Sequence, residues 1–263
     1  GGTFTYTTNE LVDNGGSGVI QAGKRSDREG YPLNSIFGLR YCGKIQTEEQ
    51  LQKYVNKYKN NSSIGTLNNL RLGDNMFEDV NKDGKLDAED LVYLGTDDPK
   101  MQFSINAGVE WKGLDFSIVF QGAGKRTVWR EKSTWRIPMR TTYQNGSNQF
   151  IGNTWTPENT GAYYPALTNK SELNNYNYQC SSWSVEDGSY LRLKNVTLGY
   201  TLPSSLLAKT KVLSKVRFYV SGSDLWEHSN ISDGWDPEAS SEVDNAKRYP
   251  FLRTVTFGLN LTF

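Results

Sequence analysis

The sequence contains few of the residues that most enzymes and metal sites use. Its 263 residues include one histidine, His228, and two cysteines, Cys42 and Cys180. A single histidine excludes a multi-histidine metal centre and leaves any histidine-based triad dependent on His228. Two cysteines exclude a disulfide scaffold or a zinc site. Their long separation does not favour a bridge, although the sequence leaves their pairing open.

Net charge and long apolar runs are missing as well. Lys+Arg and Asp+Glu both number 29, and no basic block provides the surface that a nucleic-acid-binding protein needs. No segment approaches the roughly 20 apolar residues of a transmembrane helix, although a transmembrane β-barrel stays possible because its strands alternate. The chain begins Gly-Gly-Thr without a signal peptide, as expected of a mature product or a piece of a longer protein.

Aromatic residues make up 13% of the chain, yet its mean hydropathy is −0.63, and this combination favours alternating strands. Residues 102–111 and 114–121 alternate around a two-residue turn, Lys112-Gly113, and predict a hairpin. Its register joins apolar to apolar residues and leaves the other face mostly polar: Trp111–Leu114, Val109–Phe116, Ala107–Ile118 and Ile105–Phe120. Residues 195–202, 216–221 and 254–263 show the same alternation.

The polar face of these strands favours a barrel over a soluble β-sandwich. It carries Thr, Asn, Ser, Gln and Gly with few charges, which suits a water-filled or plugged lumen. Short turns at 112–113 and 203–209 alternate with long connections at 122–188 and 227–250, as in outer-membrane barrels. The pattern predicts an all-β transmembrane antiparallel barrel with long extracellular loops.

One short amphipathic helix is predicted after a strand over 36–45. Thr47 and Gln50 form a capping box, and an apolar stripe follows at helical spacing: Leu51, Tyr54, Val55 and Tyr58. We expect this helix to pack on a neighbouring surface.

Residues 79–90 have the spacing of an EF-hand loop. Oxygen donors occupy loop positions 1, 3, 5, 9 and 12, and Lys85 at position 7 offers its carbonyl: Asp79, Asn81, Asp83, Asp87 and Asp90. Gly84 stands at the sharp turn, and Leu86 is expected to anchor the loop in a core. Asp90 replaces the usual bidentate Glu, as in dockerin-like loops, which lowers the affinity or admits Mg²⁺. We expect a structural Ca²⁺ (or Mg²⁺), with an ion-free Asx-rich turn as the alternative.

Several segments occur together in a fixed order: the metal loop, the hairpin through Trp111-Lys112-Gly113-Leu114, Trp155-Thr156-Pro157-Glu158-Asn159, residues 189–203, Trp235-Asp236-Pro237-Glu238 and residues 253–263. Over roughly residues 33–263 they resemble the C-terminal part of SusC/RagA-type TonB-linked outer-membrane transporters of Bacteroidetes. The resemblance implies that residues 1–263 are the C-terminal region of a 22-stranded barrel, with 79–90 in an extracellular segment and with the plug domain and TonB box outside this chain.

The resemblance also implies partners and location. Such transporters are integral to the outer membrane, pair with a SusD-like surface lipoprotein that acts as a lid, and import oligosaccharides or peptides with energy from the TonB complex. The open edges of a partial barrel require the remaining N-terminal part of the same transporter. The final strand resembles a barrel-assembly signal: Phe257, Leu259, Leu261 and Phe263. We expect contact with the lipid bilayer, no nucleic-acid partner and no catalysis.

The 122–188 connection is rich in aromatic residues that could stack on a substrate or grip a partner: Trp129, Trp135, Tyr143, Trp155, Tyr164 and Trp183. Packing of these rings against the loop itself is the competing interpretation. Two other functions stay open: a soluble secreted calcium-bearing β-module that binds glycans, and a glycoside hydrolase with paired carboxylates. The soluble module predicts a charged outer strand face, and no spacing singles out a carboxylate pair for the hydrolase.

Overall fold

A computed structural model describes residues 1–16, 25–58, 67–130, 138, 147–208, 212–231, 235–239 and 252–263. The strands in these ranges are β1 Gly2–Tyr6, β2 Arg25–Ser26, β3 Ser35–Leu39, β4 Tyr41–Lys44, β5 Asn75–Phe77, β6 Leu91–Thr96, β7 Met101–Trp111, β8 Leu114–Gly124, β9 Thr127–Val128, β10 Glu186–Asp187, β11 Tyr190–Thr201, β12 Lys215–Ser229 and β13 Thr254–Thr262. The α-helices are α1 Glu48–Tyr58, α2 Ser171–Asn177 and α3 Ser204–Leu207. The chain is therefore mostly β within the described ranges.

The main sheet is antiparallel and has six strands in the order β1-β7-β8-β11-β12-β13. The predicted hairpin register is confirmed for β7 and β8, from Trp111 opposite Leu114 to Ile105 opposite Phe120. Lys112 and Gly113 have φ values of 47° and 87°, as a type I′ turn requires, because that turn matches the right-handed twist of the strands. Turn chemistry and apolar pairing therefore fix the same register.

The two faces of this sheet differ sharply in chemistry. One cross-strand row runs Val109–Phe116–Leu198–Val220–Phe257 and the next runs Trp111–Leu114–Tyr200–Phe218–Leu259. Except for the half-buried Val220, these side chains are exposed; Trp111 is 64% and Phe257 81% accessible. On the opposite face, the row Gly108–Ser117–Thr197–Ser221–Thr256 contains small and hydroxyl residues. The hydrophobic face is thus on the outside of this chain, and no apolar core covers it within the described residues.

The hydrophobic core lies elsewhere, in a head built from the connections at one end of the sheet. It contains the predicted apolar stripe of α1 together with β3, β5 and α2, through buried Leu51, Tyr54, Phe37, Phe77 and Tyr176. At the start of α1, Thr47 Oγ1 accepts from the Gln50 N–H at 3.2 Å, while Gln50 Oε1 accepts from the Gln46 N–H at 2.9 Å. The predicted cap is therefore present, with the second bond shifted by one residue.

The single strand predicted over 36–45 is wrong in detail. The strand is interrupted at Arg40, and the two parts have different partners: β3 pairs with β6, and β4 pairs with β5. A register irregularity between Tyr41 and Gly43, with φ of 122° at Gly43, accompanies the change of partner. Alternation along the chain carries no information about a change of neighbour, which explains the error.

Three further observations concern the turn after β11, the two cysteines and the lengths of the helices. A single helical turn, α3, begins directly after Pro203. Cys42 is exposed and Cys180 is buried, and no disulfide joins the two residues. Among the described residues, no helix is both long enough and apolar enough to span a membrane.

Candidate functional site

A fully buried arginine stands at the head end of the polar face. Arg192 of β11 is 0% accessible, and its guanidinium contacts three carboxylates. Glu227 comes from β12, directly across the register, whereas Asp236 at 2.8 Å and Glu238 at 3.1 Å come from the segment 235–239. A charge removed from water is tolerated when it is paired and hydrogen-bonded, and Arg192 meets that condition.

Three more cations hold the segment 235–239. Arg126 donates to the carbonyl oxygens of Pro237 and, at 2.8 Å, of Ala239, while it also pairs with Asp97 at 2.8 Å. Lys194 Nζ is 3.1 Å from Glu238 and 3.1 Å from Asp224. Arg130 lies 5.3 Å from the ring of Trp235 and pairs with Glu186. We call this arrangement of Arg126, Arg130, Arg192 and Lys194 around 235–239 the basic clasp.

A β-bulge in β11 places Arg192 of the basic clasp on the polar face of the sheet. The register of β11 shifts between Leu193 and Asn195 against both neighbouring strands. Arg192 faces Gln121 and Thr197 faces Ser117, so both lie on the same side of β8 although they are five residues apart. An extra residue in one strand changes which face the following side chains take. The bulge therefore brings Arg192 onto the hydroxyl-lined face.

The aromatic candidates separate into buried and accessible rings. Trp129 and Trp155 are each 7% accessible; Trp129 packs with Ile36 and Cys180, and Trp155 Nε1 donates to Gln46 Oε1 at 2.9 Å. These two rings are therefore part of the packed interior of the head. Trp135 and Tyr143 lie outside the described residues.

Tyr164 and Trp183 belong to an aromatic cluster on the head. Tyr163, which is 51% accessible, has its ring centroid 5.3 Å from Trp183 and 4.9 Å from Tyr164. Trp183 also approaches Tyr178 at 5.7 Å and Tyr41 at 6.3 Å. Its Nε1 is buried and has no hydrogen-bond acceptor among the residues that the structure describes. We call these five rings the head cluster.

The loop 79–90 is folded around its own oxygens. Asp79 Oδ2 accepts from the Gly84 N–H at 3.0 Å, and Asp90 accepts from Val80 at 2.7 Å and Asp87 at 3.0 Å. Gly84 has φ of 85°, and Leu86 is fully buried in the head core, as expected. Within the described ranges, no three His, Cys, Asp or Glu side chains are grouped to hold a metal.

Asp79 is nonetheless suited to a cation. Its side chain is 2% accessible, and among the described residues Oδ1 has no hydrogen-bond partner. Burial acts to raise the pKa of Asp79, but hydrogen bonds from the Gly84 N–H and from Lys57 outweigh it and hold this pKa below its usual value. The carboxylate is therefore ionised at neutral pH.

Sequence reasoning did not identify the basic clasp as a site. The segments 189–203 and 235–238 carried the resemblance, but Arg192 and Asp236 are 44 residues apart, and alternation does not link them. A usable signal was present: Arg192 and Lys194 are the two cations in an otherwise uncharged alternating strand. A charge there must either face water or find a partner.

Two proteins to which this chain is similar are TonB-dependent receptors. TonB-dependent receptor P3 of Formosa agariphila is 30% identical over 269 residues, which covers 96% of this chain and 24% of the receptor. TonB-dependent receptor SusC of Bacteroides thetaiotaomicron is 28% identical over 192 residues, covering 72% of this chain and 18% of SusC. The chain spans about a quarter of the length of the first of these relatives. No protein-family model matches it.

Solved structures show the same fold. The RagAB peptide importer in the closed-closed state superposes with a TM-score of 0.70 at 23% identity, covering all of this chain and 27% of that chain. The RagAB peptide transporter gives a TM-score of 0.66 at 22% identity, covering 93% of this chain and 24% of that chain.

We predict that removing the buried cation of the basic clasp destabilises the protein more than removing a cation elsewhere on the polar face. Arg192→Met leaves Glu227, Asp236 and Glu238 without their shared counterion and should lower the free energy of unfolding by about 3 kcal/mol. Arg217→Met, on the same polar face, removes a cation from the Asp115 pair and should cost about 1 kcal/mol. Chemical denaturation of the full-length receptor in detergent measures both. Equal losses for the two variants would contradict the role given to Arg192.

Proposed function

We propose that this chain, which belongs to the SusC-like TonB-dependent receptors, forms part of the wall of a barrel that imports nutrients across the outer membrane. The protein is an integral outer-membrane protein, as its family is. The observation that carries the proposal is the two-faced sheet, with exposed large apolar side chains on one face and mainly polar side chains on the other. Lipid suits the first face, and an aqueous lumen suits the second.

The sheet edges support the same assignment. β1 and β13 each have a neighbour on one side only within the described sheet. Unpaired strand edges are not tolerated in hydrocarbon, so both must pair with further strands. We propose that the rest of the receptor supplies them in a 22-stranded barrel, of which this chain is the C-terminal region, and that Phe257, Leu259, Leu261 and Phe263 form the assembly signal.

The similar proteins also suggest a substrate class and partners for the receptor that contains this chain. RagAB is named as a peptide importer, and for this chain we propose import of an oligosaccharide or a peptide. A SusD-like lipoprotein would close over the head, and the TonB complex would act through the remainder of the receptor. The matched relatives are named receptors, and we infer no catalytic role. The soluble glycan-binding module is disfavoured because the outer strand face is apolar rather than charged.

A pair of adjacent substitutions tests the barrel wall. Phe257→Arg places a charge on the apolar face and should cost about 2–4 kcal/mol if that position faces lipid near mid-bilayer. Thr256→Arg lies on the opposite face of the same strand and should cost much less. The readout is the amount of folded, heat-modifiable receptor in purified outer membranes. Normal levels of the Phe257→Arg protein would refute the lipid-facing assignment.

We further propose that the loop 79–90 binds Ca²⁺ (or Mg²⁺) through Asp79, Asn81, Asp83, the Lys85 carbonyl, Asp87 and Asp90. The support is the EF-hand spacing together with the buried, unpartnered Asp79 Oδ1. Such an ion would neutralise carboxylates of the loop and fasten the loop to the head core next to Leu86.

Calcium removal tests this site. In full-length receptor, Ca²⁺ should raise the thermal midpoint, and Asp79→Asn should weaken Ca²⁺ binding by about tenfold or more because a charged ligand is lost. Glu48→Gln, an exposed acid at the start of α1, is the matched control and should bind Ca²⁺ as the wild type does. Titration calorimetry with Ca²⁺ and Mg²⁺ identifies the ion. Identical titrations for wild type and Asp79→Asn would remove the loop as the site.

For the head cluster we propose contact with the lipoprotein lid. Tyr163 presents an accessible ring, and Trp183 holds a donor that lacks an acceptor in the described part of the chain. Aromatic anchors with one polar end are enriched at the energetic centres of protein interfaces.

Removal of the exposed ring tests that contact. Tyr163→Ala should reduce the lipoprotein affinity by about tenfold. Tyr6→Ala removes an equally exposed tyrosine from β1 and should leave the affinity unchanged. The measurement is the lipoprotein retained per receptor after affinity purification from outer membranes. Equal retention by the two variants counts against lid docking at the head cluster.

A further inference from the structure

A pocket of about 590 Å³ lies where the polar face meets the basic clasp. Its floor is the head end of the polar face, formed by the rows Thr3–Ser104–Gln121 and Thr5–Gln102–Ala123–Tyr190. Its wall includes residues 97–99, Arg126 and Glu238. The volume falls within the roughly 300–1,000 Å³ of ligand sites in proteins.

The floor of this pocket presents uncharged hydrogen-bonding groups. The Thr3 and Ser104 hydroxyls lie 2.7 Å apart, and Gln121 Nε2 is 3.5 Å from the Tyr190 hydroxyl. Gln102 is exposed at the centre of its row. Hydroxyl and amide groups both donate and accept, and the Tyr190 ring adds an apolar surface. This combination suits a ligand that carries many hydroxyl groups.

The charges around the pocket disfavour an anion. The lining contains three carboxylates, Asp97, Asp98 and Glu238, against one guanidinium, Arg126. Each nitrogen of that guanidinium already donates to Asp97 or to the carbonyls of Pro237 and Ala239. The cations behind the wall, Arg192 and Lys194, are bound to Glu238 and its neighbours. The exposed charge in the wall is therefore Asp98, which is negative.

We propose that this pocket is a subsite for an uncharged, hydroxyl-rich unit of the transported ligand, and that Asp98 disfavours anionic ligands there. The inference rests on the proposed transport function and adds the charge selectivity of the ligand. It makes the segment 235–239 a wall of the subsite, held in place by the basic clasp.

The experiment uses full-length receptor in detergent and three sugar trimers of equal length. These are neutral maltotriose, anionic trigalacturonate and the cationic trimer of glucosamine, titrated by calorimetry. Wild type should bind maltotriose and the glucosamine trimer and should bind trigalacturonate about tenfold more weakly, because like charge disfavours it. Gln102→Ala should weaken maltotriose binding about fivefold, the loss of one neutral hydrogen bond.

Two charge variants and one control isolate Asp98. Asp98→Lys should raise trigalacturonate affinity about tenfold and leave maltotriose nearly unchanged, while Asp98→Asn, which keeps the shape of the side chain, should give a smaller gain. Glu158→Lys makes the same charge change at an exposed head residue and should alter neither affinity. Identical responses to Asp98→Lys and Glu158→Lys, or a wild type that prefers trigalacturonate, would overturn the proposal.

The outcomes also separate this inference from the proposed function. A receptor that folds in the outer membrane and binds a neutral tripeptide such as Gly-Gln-Ser in a Gln102-dependent way, but no maltotriose, would refute the hydroxyl-rich ligand and keep the importer. A receptor absent from the outer membrane would refute the importer itself.

Discussion

The buried guanidinium of Arg192 is the constraint on which the rest of this site depends. It joins β11 to β12 through Glu227 and joins both strands to the segment 235–239 through Asp236 and Glu238. A cation inside a protein is stable only while its partners are present, and each of those carboxylates needs the cation in turn. Ion pairs and hydrogen bonds therefore hold the wall of the pocket in place.

The molecule places its apolar surface in two unlike environments. In the head, apolar side chains cluster around α1 and exclude water in the usual way. In the sheet, they point outward and stay accessible. A sheet of this kind depends on a surrounding solvent that is itself apolar. The bilayer thus takes the place that a second sheet or a helix layer would take in a soluble β-protein.

Local chemistry made much of the fold predictable. The β7–β8 register followed from apolar alternation and from Lys112-Gly113, and α1 followed from Thr47, Gln50 and the apolar stripe. Features set by distant partners did not follow. The break at Arg40 depends on which strand lies alongside, and the burial of Trp129 and Trp155 depends on how the head folds. The partners of the clasp did not follow for the same reason, since its ion pairs join residues far apart in the chain, although the two cations of β11 marked its position.

The bulge at Leu193–Asn195 has a consequence for how the chain can vary in length. Between Thr197 and Thr201, β11 keeps one phase of alternation, and at Arg192 and Tyr190 it keeps the other. A one-residue deletion at Lys194 would remove the bulge, because Leu193 and Asn195 already face Phe120 and Val119, which are consecutive in β8. Arg192 would then lie four residues before Thr197 in a regular strand and would stay on the hydroxyl-lined face. The deletion would instead remove the Lys194 ion pairs with Glu238 and Asp224. At this point β11 can therefore shorten by one residue without exchanging its two faces.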